Sequence, residues 1–464
     1  MFPDIVVRLA QAMQARGGRL FVVGGTVRDM ILGVPPKDFD LEVHGIAPSR
    51  LEETVASFHP SWMDTVGRSY GVLKVRIDGE DLDIAPPRRD SKVGEGHKGI
   101  LAVPDPTMTL EEACRRRDFT VGAMAMDPLT GELFDFFGGQ EDLRQGILRA
   151  TDPERFVDDP LRVMRAVQFA ARFGFAVEQA TAVLCRNVTA TKEFVGQSPA
   201  RVSEEWRKLL LKSPQPSVGL QVGLELGVWD ALHPELAALW ICPQDANWHP
   251  EGSVGEHTKL AVDKAAEIVR REGLAGDDAL VIILAVLLHD SGKPATTVFI
   301  DGRWRSPNHE AAGVDAARKF FARNAFGREI EARVLPLIAD HLFPAQHGLE
   351  VSDAAIRRLA QRLVQATIAE LVMVSEADVL GRAVPNREFA EGTALLEQAK
   401  TLAVGSGKTE PLLMGRHLIS ELGMKPNRQF SEILRAVFEA QLEGRVATIE
   451  QALDMAREIM AAYA

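Results

Sequence analysis

The chain has 464 residues, with 53 Lys+Arg against 65 Asp+Glu and a formal net charge of −12. Hydrophobic residues make up 46% and charged residues 25%, which excludes a disordered chain and supplies apolar material for about three domains. The acidic balance excludes a uniformly basic nucleic-acid coat but leaves room for a local basic groove.

Cys114, Cys185 and Cys242 lie far apart, so neither a disulfide framework nor a thiolate zinc site is expected. The first residues, MFPDIVVRLAQAMQARGG, lack the basic start and apolar core of a secretory leader. The longest apolar run, Ala279–Leu288, is too short to span a bilayer and ends in His-Asp. These features predict a soluble cytoplasmic protein with no membrane partner.

In chain order, Asp4–Arg16, Thr26–Leu32 and Pro48–Phe58 carry helical apolar stripes. Arg19–Val23, Phe39–Val43, Val72–Ile77 and Asp81–Ile84 read as strands. After Thr151 strands nearly vanish, and Leu161–Phe173, Glu178–Asn187 and Arg201–Lys212 read as amphipathic helices. A Pro/Gly cluster at Cys242–Ser253 marks a break, and beyond it lie six of the 11 histidines. The expected fold class is multidomain α+β, with a small mixed sheet at the N-terminus and helical regions after it. The expected segments are 1–150, 151–245, 246–400 and 401–464.

The first chemical signal is a strand, RLFVV, that runs into Gly24-Gly25, a short helix, and then Asp38-Phe39-Asp40. Glycines at a helix start leave backbone N–H groups open to an anion, and Arg28 lies one turn in, where it could contact a phosphate. Asp38 and Asp40 are two apart on a strand, so both carboxylates share a face. Two carboxylates facing a triphosphate call for Mg²⁺ between them, the arrangement of two-metal nucleotidyl transfer. Asp83 is a further carboxylate candidate, and a surface strand residue is its other reading.

Gly24–Asp40 resembles the signature of polymerase-β-type nucleotidyltransferases, and more narrowly the class II tRNA nucleotidyltransferases, which include bacterial CCA-adding enzymes and poly(A) polymerases. Further motifs follow in that family's order. Arg116-Arg117-Asp118-Phe119-Thr120 resembles its ribose-recognition motif, and Gly138–Arg149 resembles its head-to-neck segment. Asp158-Asp159-Pro160-Leu161-Arg162 with Arg165 resembles its nucleotide-selecting motif, and Arg201–Lys208 resembles its last neck helix. The chain departs at Gly122, where the family has Asn, and at Asp158, where it has Glu. The resemblance implies a nucleotidyltransferase head in 1–150, with Asp38 and Asp40 on Mg²⁺, and Gly24, Gly25, Arg28, Arg117 and Asp118 around the nucleotide. It also implies a neck in 151–245 that selects the nucleotide and binds tRNA.

CTP and ATP share an edge pattern in which an exocyclic amine donates and a ring nitrogen accepts; a carboxylate beside a guanidinium complements it. Asp159 and Arg162 on one face of a helix start would read both bases, while guanine and uracil would leave buried groups unpaired. The neck from Arg144 to Lys212 has 12 Lys+Arg against 8 Asp+Glu, a local +4 (12 − 8) suited to phosphate contacts. Pro87–Ile100 is polar and Gly-containing, as expected of a mobile loop. CCA-adding enzymes carry such a loop here and CC-only relatives shorten it.

The second signal is His257 at a helix start, His289-Asp290 after an apolar helix, and Asp378 in SEADVLGR, with His309 and His341 between. This order resembles HD-domain metal-dependent phosphohydrolases, and imidazole with carboxylate suits a transition metal such as Ni²⁺ or Mn²⁺. NWHPEGSVGEHT, LLHDSGKP and NHEAAG resemble the hydrolase domain fused to CCA-adding enzymes in some proteobacteria. That resemblance implies 2′,3′-cyclic phosphodiesterase, 2′-nucleotidase and phosphatase activities in 246–400, a helical tail in 401–464, and a homodimer. The expected function is therefore tRNA 3′ CCA addition from CTP and ATP, with HD hydrolysis. The other readings are an A-adding enzyme, a poly(A) polymerase, an HD hydrolase with an inactive tRNA-binding head, and an RNA-binding scaffold.

Overall fold

The computed structural model describes residues 2–66, 71–92, 100–384, 387–404 and 409–463. Among the described residues, nine strands occupy the N-terminal third: β1 Arg19–Val23, β2 Phe39–His44, β3 Trp62–Val66, β4 Val72–Ile77, β5 Glu80–Ala85, β6 Arg88–Lys92, β7 Ile100–Pro104, β8 Ala125–Met126 and β9 Leu133–Phe134. Seven of them form one mixed sheet in the order β3-β4-β5-β2-β1-β8-β9. β2 and β5 run parallel, and the other neighbours in the sheet are antiparallel. A parallel pair needs a crossover; here it is the chain from helix Pro48–Ala56 through β3 and β4. β1 is buried from Leu20 to Val23, as expected of a strand inside a covered sheet. Helix Asp4–Gln14 packs on β1 and buries Ile5, Val6, Leu9, Ala10 and Met13, a stripe at helical spacing.

β1 and β4 have the bounds that the apolar patterning predicts, whereas β3, β6 and β7 were not expected. The expected loop Pro87–Ile100 is flanked by β6 and β7, which pair from Arg88↔Pro104 to Lys92↔Ile100. Its ends are thus a β-ribbon, because backbone ladder bonds organise residues whose composition reads as loop. Residues 93–99 of that segment lie outside the described residues.

The chain separates into two compact units: Met1–Ser213 with Val218–Leu232, and Pro214–Ser217 with His233–Ala464. In the first, the sheet shares its unit with the helices after it. Fully buried Phe119 meets the rings of Phe156 and Phe169 edge-on, at 5.7 and 5.9 Å. Phe169 belongs to helix Arg162–Phe173, which buries eight of its 12 residues. Trp206 and Trp229 stack at 4.8 Å further along.

In the second unit, helix Gly276–Leu288 is buried from Ala279 to Leu288, apolar on every face. It is packed by helices Val254–Arg271, Arg328–Asp340 and Ile368–Leu380, which makes it the core of this unit. The stretch Gly276–Thr296 is long and apolar enough to cross a membrane by composition, contrary to the expectation from its apolar run, but it is mostly buried among these helices. Helices Arg428–Leu442 and Ile449–Tyr463 close the chain over a small core of Ile433, Val437, Ala440, Ala452 and Ala456.

Candidate active sites

In the first unit, the turn between β1 and helix Gly25–Ile31 is fixed by Gly24 at φ +68°, ψ −130°. L residues with a Cβ avoid that conformation. A Cβ there would also lie 2.5 Å from Arg117 Nη1, so the arginine and the bare backbone occupy the same corner. Thr26, in the first turn, accepts from the Asp40 amide at 3.1 Å and donates to the Asp38 carbonyl at 3.4 Å. One buried hydroxyl thus ties the glycine turn to the start of β2, where Asp38 and Asp40 stand.

The register then brings in a third carboxylate. Asp40 pairs directly with Asp83 across the parallel β2–β5 ladder, so the two side chains share a face. Lys74, opposite Asp83 on β4, bonds its carboxylate at 2.7 Å. Asp40 stays open to solvent on one side, yet the protein packed around it partly desolvates its carboxyl and holds it above the ordinary range; Asp38 and Asp83 push the same way, and Arg117 and Lys74 oppose them. Crowded oxygens with too little positive charge are what a hard divalent cation relieves.

Glu42, two residues past Asp40 on the same face of β2, organises the arginines. Its buried carboxylate takes His44 Nε2 at 3.1 Å and Arg116 Nη2 at 3.2 Å, with Arg117 Nη2 at 3.9 Å. Burial alone would raise its pKa, but the His44 bond and the two guanidinium charges bring it down to about 2. Asp118 in turn accepts from Arg165 Nε and from the Phe119 amide. Burial opposes its ionisation, yet the charges of Arg165 and Arg162 keep its carboxyl below the ordinary range. A Cβ on Gly122 would lie 3.9 Å from Asp118 Oδ1, so any side chain there would border this carboxylate.

Three expected site residues are engaged by partners within the protein. Arg28 is buried, with Nη2 on Asp29 at 2.6 Å and its guanidinium 4.3 Å from the centre of the Phe173 ring, and a Cβ on Gly25 would lie 3.4 Å from the same Nη2, so the guanidinium is held beside the glycine turn. Asp159 precedes the helix that begins at Arg162, so the two do not share a helix face. Asp159 instead binds Arg201 at 2.8 Å, while Arg162 donates to the carbonyls of Arg116 (2.8 Å) and Arg155 (3.1 Å).

The second site is buried in the other unit. His257, His289 and His341 are at most 1% exposed, and Asp290 and Asp378 at most 4%. His289, His309 and His341 each set Nδ1 on a backbone carbonyl, of Val286, Ser306 and Ile338, at 2.6–2.9 Å. A carbonyl only accepts, so each Nδ1 carries the hydrogen, and in the neutral ring, the form that ligates a metal, each Nε2 keeps its lone pair. His257 Nδ1 lies 3.0 Å from the Glu251 carboxylate, which fixes the same tautomer.

The Nε2 atoms converge on the two aspartates: His257 on Asp378 Oδ1 at 3.1 Å, His289 on Asp290 Oδ2 at 3.2 Å, and His309 on Asp290 Oδ1 at 3.3 Å. His309 Nε2 and His341 Nε2 face each other at 3.4 Å, hydrogen-bond distance when one of the two carries a proton. His257 Nε2 and His289 Nε2 are buried without a hydrogen-bond partner. Two triads that share His289, namely His257/His289/Asp378 and His289/Asp290/His341, each bring their ligand atoms within 4.8 Å of one another, and imidazole with carboxylate is the donor set of a transition metal. Burial disfavours the charged aspartates, but His289 and Lys293 hold Asp290, and Arg382 with His257 holds Asp378, well below the ordinary range. Burial, with the charge of His289, pushes His341 down to about 3. Gly292 permits the assembly: a Cβ there would meet His309 O at 2.0 Å, so only glycine lets helix His309–Arg323 close on the His-Asp turn.

The motif reading missed Glu42, Glu251 and the cations Lys293 and Arg382. Glu42 was legible as the third acid in the alternation Asp38-x-Asp40-x-Glu42. Glu251 and His249 lie inside NWHPEGS, where the signal was local but the contacts come from folding.

Comparison with known proteins assigns a family model to each of the two units. Residues 20–149 match the Poly A polymerase head domain and residues 254–383 match the HD domain. The chain is 35% identical over 373 residues to the multifunctional CCA protein of Xanthomonas campestris pv. campestris (strain B100), covering 78% of this chain and 85% of that protein. The same protein of Stenotrophomonas maltophilia (strain K279a) is also 35% identical over 373 residues, covering 78% and 86%. Among solved structures, the Bacillus stearothermophilus CCA-adding enzyme in complex with CTP superposes with a TM-score of 0.66 at 19% identity, over 100% of this chain and 99% of that one. The Thermotoga maritima CCA-adding enzyme complexed with tRNA gives 0.57 at 19% identity, over 100% and 97%. An acidic strand end beside a glycine turn in one unit, a His/Asp cluster in the other, and this identity over most of both chains place the protein in the multifunctional CCA protein family, nucleotidyltransferases that carry an HD domain.

Proposed function

We propose that the chain completes or repairs tRNA 3′ ends by adding CCA from CTP and ATP without a nucleic-acid template, in the cytoplasm. The observation that carries this reading is the β2–β5 register, which sets Asp83 beside Asp40, while the Thr26 hydroxyl ties the glycine turn to the backbone of Asp38 and Asp40. The CTP and tRNA held by the structural neighbours support it. Asp38 and Asp40 would hold Mg²⁺, which when bound lowers the barrier for a 3′-hydroxyl to attack the α-phosphorus and for pyrophosphate to leave. Arg117, anchored by Glu42, supplies a fixed cation beside the glycine turn for the triphosphate. Asp118 and Arg165 form a preset pair for the ribose. Asp159 and Arg162 read the base by trading Arg201 and the two backbone carbonyls for its edge. Arg28, held by Asp29 and Phe173 beside the glycine turn, would add a charge-assisted contact to the triphosphate.

For the second unit we assign metal-dependent hydrolysis of phosphate esters at RNA ends, with 2′,3′-cyclic phosphodiesterase, 2′-nucleotidase and phosphatase activities. His257, His289, Asp290 and Asp378, with His309 and His341, would hold an ion such as Ni²⁺ or Mn²⁺, which when bound activates water for attack on phosphorus. Lys293 and Arg382 balance the two aspartates and stand ready for an anionic substrate. The functional division follows the sites: head 1–150, neck 151–245, HD region 246–400 and tail 401–464.

The test is extension of tRNA transcripts that end before CCA, after C and after CC, resolved at single nucleotides. Growth by CCA and then a stop is expected. A single A added only to the CC-ended transcript would replace the reading with an A-adding enzyme. A long A ladder would make it a poly(A) polymerase.

A further inference from the structure

Beside the His/Asp cluster lies a pocket of about 220 Å³. Its inner wall is cationic and shared with the cluster. Lys293 binds Asp290 at 2.7 Å, Arg382 binds Asp378 at 3.2 Å, and His309 reaches Asp290 at 3.3 Å. Its outer wall is aromatic: Trp248 and Trp304 both line it and stay 56% and 39% exposed. Trp304 sits on the hairpin Val298–Ile300/Arg303–Arg305, and Phe299 braces it edge-on at 5.0 Å. Gln244 completes the wall. Its Oε1 takes Lys293 Nζ at 2.8 Å, and its Nε2 is buried with no hydrogen-bond partner, a donor that an acceptor on a ligand would satisfy.

Large aromatic rings left open to water beside a polar pocket forgo burial that folding normally secures. Cations inside and indole faces outside match a molecule with an anionic group at one end and a flat ring at the other. At about 220 Å³ the pocket is below the roughly 300 Å³ of drug-sized sites, room for a single nucleotide unit. We propose that Trp248 and Trp304 form a nucleobase subsite that seats the terminal nucleoside of the RNA substrate by stacking, with its phosphate delivered to Lys293, Arg382 and the cluster. Stacking is tolerant of base identity, so the subsite distinguishes nucleotides from other phosphate esters rather than one base from another. The proposal rests on the reading of this cluster as a phosphohydrolase, and it names the substrate feature that the cluster itself does not read.

The test uses the full chain with Mn²⁺ or Ni²⁺, and the variants W248A, W304A, W248F and W304F. Two substrates are compared: adenosine 2′-monophosphate, and glycerol 2-phosphate, which has no base. In the alanine variants the ratio of their kcat/KM values should fall about tenfold, through KM for the nucleotide, and phenylalanine should restore most of it. An unchanged ratio, or an equal loss on both substrates, overturns the subsite. If the parent chain hydrolyses neither ester with any metal, the phosphohydrolase reading fails. The subsite is then judged by equilibrium binding of adenosine 2′-monophosphate. About tenfold weaker binding in W248A and W304A sustains it, and equal binding overturns it.

Discussion

The two sites concentrate negative charge in opposite ways. In the first unit, Asp38 and Asp40 stand exposed at the start of a strand, set by a glycine turn and one threonine within 17 residues (24–40). In the second, the ligand-type side chains come from several helices and turns between His257 and Asp378, and nearly all are buried. An exposed strand end suits partners that must enter and leave, such as a nucleotide, an RNA end and pyrophosphate. A buried cluster must offset the desolvation of its charges inside the protein, and it does so with Lys293 and Arg382, while backbone carbonyls orient His289, His309 and His341 and Glu251 orients His257. Strand geometry makes the first site local; helix packing makes the second site global.

If the two sites are separate catalysts, they should be separable by single substitutions. Asp40→Ala should cut CCA extension by about 10³-fold or more, while hydrolysis of a 2′,3′-cyclic nucleotide stays within about twofold. His289→Ala should do the reverse. Loss of both activities from either change would show that one site serves both reactions.

The next effect concerns stability and sharpens the contrast in how each site handles buried charge. Glu42 is a buried carboxylate held at about 2, against an ordinary value of 4.5. A folded pKa below the unfolded one stabilises the protein above the unfolded value, and that contribution is lost as pH falls from about 4.5 to about 2. The gap corresponds to on the order of 3 kcal/mol. Glu42→Gln should therefore lower stability at pH 5 and flatten the acid limb of urea denaturation, followed through the stacked Trp206–Trp229 pair of the same unit. Parallel acid limbs in the two proteins would show that Glu42 is not what ties Arg116 and Arg117 to the strand.

How much of this was legible in the sequence follows the same division. Asp38-x-Asp40 could be read because a strand repeats every two residues, and the glycine turn because its neighbours are a strand and a helix. β1 and β4 were readable from their apolar residues alone. Asp83 could not be assigned from patterning, because its place beside Asp40 depends on a parallel register made by a crossover. Local spacing put Arg28 beside the glycine turn, but did not show that Asp29 and Phe173, the latter far along the chain, hold its guanidinium there. Asp159 and Arg162 were read as partners on the strength of an i, i+3 spacing. The helix begins only at Arg162, and Arg201, 42 residues on, takes the carboxylate. In the second unit, His257, His289, Asp290 and Asp378 could be named from motifs, but not which ring nitrogen faces inward. That is set by carbonyls at helix ends, which sequence spacing does not report.

The smallest expected effect tests the outer support of the buried site. Glu251 Oε1 lies 2.9 Å from His249 Nδ1 and 3.0 Å from His257 Nδ1, while Oε2 accepts from the Ala383 amide at 3.2 Å. One carboxylate thus orients the His257 ring and ties its loop to the chain just past Asp378. Burial works against its ionisation, yet the two histidine bonds hold its pKa far below the ordinary range. Glu251→Gln keeps the shape but leaves a single acceptor oxygen, so either a histidine or Ala383 loses its partner. A support of this kind typically tunes metal affinity by about 10–100-fold, which metal titration by calorimetry would read directly, with kcat at saturating metal little changed. A loss as complete as that of His289→Ala would move Glu251 from support to ligand. The geometry gives that outcome a definite form, since His249, Glu251 and His257 are themselves close enough to share an ion.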